Sequence, residues 1–98
     1  MARVAREIRP QPDVDYHLDY LFRAWESLPE YAERWASLDV AEQEVFHLEW
    51  VGITDQRLRQ LRQWAAQCLL TPAQCKRYEA LLELVARHRP LLERLLAS

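Results

Sequence analysis

Ninety-eight residues with a net charge of −2, a single glycine and 29% charged side chains make one domain and leave no room for a second core. That balance excludes a disordered chain and a turn-rich β protein. No run of about 18 apolar residues exists to cross a bilayer, and two cysteines are too few for a disulfide framework.

Residues 1–11 hold Arg3, Arg6 and Arg9 against Glu7. The segment is basic but lacks the apolar run of a secretory signal, and reads as a flexible arm before one helical domain over 12–98. Pro12 and Asp13 open the first helix. There Val14, Leu18, Leu21, Trp25 and Leu28 recur at steps of four and three, with Asp15, Asp19, Arg23 and Glu26 opposite, the spacing of an amphipathic helix. Ser27 with Glu30 fits a capping box, and Pro29 a first helical turn, so a short second helix is expected through Tyr31 and Trp35 to about Ser37.

Asp39 with Glu42 begins a third helix, running to about Val51. Ala41, Val45 and Leu48 share one of its faces, and Phe46 and Trp50 another. A helix apolar on two sides is expected at the centre of a bundle. Gly52 permits a left-handed cap, and Thr54 starts a fourth helix with the stripe Leu58, Leu61, Ala65 and Cys68. In Thr71-Pro72-Ala73-Gln74, threonine and glutamine cap each other while proline takes the first turn. The fifth helix repeats Tyr78, Leu81, Val85, His88, Leu92 and Leu95, with Pro90 expected to kink it rather than break it. The pattern predicts an all-α fold, a compact antiparallel bundle of about five helices.

Charge is segregated along the chain. Residues 12–53 carry ten acids against Arg23 and Arg34, net −8, whereas 54–98 carry eight bases against four acids, net +4. A segregated field raises association rates and selects partners of opposite charge. The expected function is therefore a non-enzymatic interaction module: a small acidic-faced partner, regulator or antitoxin-like inhibitor of a basic protein. Its expected contact face is Asp15, Asp19 and Glu26, with Glu30 and Glu33 nearby. The same charges, lying beside the basic helices, would equally make a solvated rim of weak pairs.

Other readings rest on shorter signals. Aligned on Gly52, residues 39–68 resemble a helix-turn-helix unit through Leu48, Val51, Ile53, Leu58 and Leu61. Thr54, Gln56, Arg59, Gln60 and Gln63 would then face bases, glutamine suiting adenine and arginine guanine. Glu42, Glu44 and Glu49 would lie near phosphates, and the domain lacks the basic excess that DNA binding requires. Glu44 and His47 have the i, i+3 spacing of carboxylate-bridged metal sites, and His17, His47 and His88 fall on three helices, a conceivable triad. No cofactor is expected. Nucleophilic catalysis lacks a glycine-rich elbow or phosphate loop, and Cys68 and Cys75 read as reduced thiols of a cytoplasmic protein. Leu91, Leu92, Leu95 and Leu96 serve either the bundle core or a homodimer seam along the C-terminal helix.

Overall fold

The computed structural model describes residues 13–97; the expected basic arm at 1–11 lies outside them. The described residues are helical, with no strand among them. The α-helices are α1 (Val14–Glu26), α2 (Leu28–Arg34), α3 (Val40–Glu49), α4 (Asp55–Ala66) and α5 (Pro72–Ala97). A 3₁₀ turn, Trp35–Ser37, follows α2, and a π-helical turn, Trp50–Thr54, joins α3 to α4. All-α is the right class, but α1 runs into α2 and α3 into α4, so the chain is not a set of five separate antiparallel rods.

The α1 stripe folds as its spacing requires. Val14, Leu18, Leu21, Trp25 and Leu28 are all buried, and Asp13 caps the helix by accepting from the Tyr16 N–H. α1 lies against α4 and α5, and α2 against α5. From these come Leu58 and Leu61 of α4, and Leu81, Val85, Leu92 and Leu95 of α5, which complete the core. The leucine seam of α5 is therefore used within the chain. Leu92 and Leu95 are buried, and Leu91 and Leu96 pack on the core, so the C-terminal homodimer seam is not free. α5 also passes through Pro90 as one helix, unbroken as expected.

Two expected caps form. Asp39 Oδ1 accepts from the Glu42 N–H at 2.8 Å while Glu42 Oε1 accepts from the Asp39 N–H at 3.0 Å. Thr71 and Gln74 make the same reciprocal pair at 3.1 and 2.9 Å. The box at Ser27 does not form: Ser27 is itself in a helical conformation, and its hydroxyl donates to the Ala24 carbonyl.

Gly52 and Thr54 are the larger corrections. No glycine has positive φ, and the helix continues through Gly52 instead of ending there. Thr54 is buried and makes no side-chain cap. The reason lies in the inward side chains Phe46, Trp50, Thr54 and Leu58, all buried and spaced four, four and four. Three steps of four drift by about 120° around an α-helix of 3.6 residues per turn. The wider π turn, where the Asp55 N–H reaches the Trp50 carbonyl, absorbs most of that drift and keeps the four on one side.

The left-handed cap occurs one helix later. Cys68 has φ 61°; the Leu69 N–H donates to the Trp64 carbonyl and the Cys68 N–H to that of Ala65, which is a Schellman ending. Cys68 thus leaves the apolar stripe expected for it and is exposed. A residue with a Cβ in this conformation is strained by about 1–2 kcal/mol. Cys68→Gly is expected to raise the thermal midpoint by a few degrees, read by circular dichroism melting; Cys68→Val should lower it.

Candidate functional site

Most of α3 stands outside the core. Phe46 is its one buried residue, held by Tyr31 and Trp35 at ring distances of 4.9 and 5.2 Å and stacked on Trp50 at 5.5 Å. Trp50 in turn meets Trp25 edge to face at 5.0 Å, an arrangement that ring quadrupoles favour. Gln43 adds a polar tether, its amide donating to the Trp35 carbonyl at 2.9 Å. Trp35 and Tyr31 are thus half-buried supports for Phe46 rather than free anchors.

The second apolar face of α3, with the turn that follows it, has no neighbour among the described residues, contrary to the central position its sequence suggested. Val40 and Leu48 are 71% exposed, Val45 53%, Val51 47% and Ile53 40%. Their exposure along one stretch of helix is the kind of apolar surface that interaction sites use. Gly52 lies in its midst, exposed and helical, and a Cβ built there would meet nothing within 4 Å. The fold gives no reason for glycine, which costs about 1 kcal/mol relative to alanine in a helix.

Beside this face a groove of about 360 Å³ separates α2 from α3. Tyr31, Leu38, Val45 and Phe46 form its apolar floor; Asp39, Glu42 and Glu49 stand on its rim with Arg34. The Arg34 guanidinium lies 5.3 Å over the Tyr31 ring. Acids therefore surround apolar surface at this end of the molecule.

The acidic face expected on α1 divides. Asp15 and Asp19 both pair with Arg77 of α5, at 3.4 and 2.6 Å, so their charge is partly neutralised within the chain. Glu26, Glu30 and Glu33 are exposed and carry no ion pair among the described residues. Of the expected five, these three are the ones without an ion pair among the described residues.

On α4, Gln56, Arg59 and Gln63 are exposed and Gln60 is half-buried. Gln60 and Gln63 are in marginal contact at 3.5 Å. Arg59 and Arg62 line a polar hollow with Asp55 and Arg89. Because Gly52 makes no turn, the steep helix-turn-helix crossing that would push α4 into a groove is missing. Arg57 is withdrawn from this surface, its guanidinium lying over the Tyr16 and Tyr20 rings.

The histidines do not gather. No group of three His, Cys, Asp or Glu side chains with metal-binding geometry occurs among the described residues. Glu44 and His47 lie together on the open face of α3 beside Leu48, and His88 is half-buried on α5. His17 packs edge to face on Trp64 at 4.8 Å, its Nδ1 3.1 Å from the Asp13 carbonyl. Both cysteines are free and exposed. No helix among the described residues is long and apolar enough to cross a membrane.

No protein-family model matches the chain, and no curated protein or solved structure resembles it significantly.

Desolvation against Trp64 lowers the His17 pKa; the Asp13 carbonyl opposes this, and the Arg57 charge reinforces it. The folded state then binds its proton less readily than the unfolded chain, whose histidine titrates near 6.5. Stability from neutral His17 is complete above that value and is lost as pH falls through it toward the lowered folded pKa. Melting curves between pH 7 and 5 should show wild type losing more thermal stability than His17→Gln, and an NMR titration should place the His17 pKa below 6.5.

Proposed function

We propose that the chain is a non-enzymatic protein–protein interaction module whose docking element is α3. The observation that carries this reading is that α3 buries one residue inward while Val40, Val45, Leu48 and Val51 remain bare to solvent. A marginal domain of this size gains by covering such surface. The partner class follows from the rim. Asp39, Glu42, Glu44 and Glu49 border the apolar residues, and Glu26, Glu30 and Glu33 extend the same sign over α1 and α2. A complementary surface offers an apolar anchor flanked by lysine or arginine, and opposite fields accelerate encounter. Asp15 and Asp19 contribute less than their number suggests, because Arg77 answers them.

The test is capture by the tagged chain from its native host, in nuclease-treated and untreated halves. A stoichiometric basic protein surviving nuclease is the expected result. With that protein purified, Glu33→Lys with Glu49→Lys should slow association about tenfold at low ionic strength, with the gap closing as salt rises. Leu48→Asp should instead shorten the lifetime of the complex. Unchanged kinetics in all variants would remove α3 as the docking element, and nucleic acid lost on nuclease treatment would replace the partner class.

A further inference from the structure

Residues 40–66 form one continuous helical element of 27 residues, and its outer surface is polarised about its centre. Ala41, Val45, Leu48, Gly52, Gln56, Arg59 and Gln63 are all exposed and recur at steps of four or three, so they form one stripe along it. Before Gly52 the element carries Glu42, Glu44 and Glu49 and no lysine or arginine; after it come Arg59 and Arg62 against Asp55, Arg57 being turned onto Tyr16 and Tyr20. The acidic half holds the bare apolar patch, and the basic half is glutamine and arginine.

We infer that a second copy of this chain docks on this face, the two 40–66 helices crossing antiparallel with the two-fold axis at Gly52. This deepens the reading of α3 as a docking element by naming an occupant. Antiparallel pairing about residue 52 sets each acidic half beside the basic half of the other copy. Glu44 then lies within a residue of Arg59, while Val51 comes near Ile53. Val45 and Leu48 are covered by the aliphatic stems of Arg59 and Gln56. A parallel pairing would oppose like charges along the whole length.

The crossing point also accounts for the glycine. Two helices approach most closely where they cross, and a residue without a Cβ lets the backbones meet there. Gly52 is helical and unopposed among the described residues, at the one place where an isologous contact brings a residue against its own copy. Asp55, which the pairing brings toward Glu49, lies in the hollow of Arg59, Arg62 and Arg89, so a positive environment offsets the like-charge contact. The apolar patch alone falls short of the roughly 800 Å² per partner of a standard interface. The arginine and glutamine side chains of α4 add to it.

Sedimentation equilibrium over a wide concentration range, with circular dichroism as a check on folding, tests the assembly. Wild type is expected to dimerise, more weakly as salt rises. Glu44→Arg and Arg59→Glu each substitute an exposed side chain and should raise the dissociation constant at least tenfold; mixing the two variants should restore a heterodimer. Register is read independently by Gly52→Cys in a chain also carrying Cys68→Ser and Cys75→Ser, which should form a disulfide-linked dimer rapidly on mild oxidation. A monomer at every concentration overturns the inference, as does a dimer that neither responds to the charge variants nor cross-links at 52. Capture of a basic protein by a chain that stays monomeric would likewise end it while leaving the docking role of α3 standing.

Discussion

The architecture turns on one aromatic contact. Phe46 is the only side chain of α3 to enter the core, and it does so between Tyr31, Trp35 and Trp50. Trp50 passes the contact on to Trp25, at the centre of the α1 stripe. A helix fastened by one large ring buries little of its own surface. Its remaining apolar side chains, which in a closed bundle would face a neighbour, stay in water. The open face of α3, the groove beside it and the exposed glycine all follow from that single point of attachment.

Acidic and basic halves of the chain are joined in two different ways. On α1, Asp15 and Asp19 meet Arg77 of α5 within the molecule, a pairing of exposed groups that contributes little to stability but offsets part of their charge. Around α3 the described residues supply no such base apart from Arg34, which lies against Tyr31. The net charge of the segment is thus a poor guide to its field, since what matters is which acids the fold has already answered.

Much of this was legible in the sequence, and the failures have physical causes. The α1 stripe and the caps at Asp39 and Thr71 are local patterns, set by helix periodicity and by side chains reaching three residues along. Gly52 misled because glycine marks left-handed caps so often; the decisive signal was the run of inward steps of four through Phe46, Trp50, Thr54 and Leu58, which an α-helix cannot serve. Cys68 took the left-handed position with no glycine to announce it. The neutralisation of Asp15 and Asp19 depends on Arg77, some sixty residues away, and no local pattern shows it. Two apolar faces on α3 were visible, but whether the second was covered depended on how far the other helices reach.

The π turn carries a further implication for how this chain varies. Remove one residue between Val51 and Ile53, and the inward positions fall at steps of four, three, four and three, those of an ordinary α-helix. The long helix is a regular one with a single residue inserted at its midpoint. The insertion is absorbed within one turn, so both halves keep their buried side in register and with it their outward side. A length change of one residue can therefore be taken up at this turn as a change between π and α geometry, altering the few side chains of the turn while both halves and the interior stay as they are.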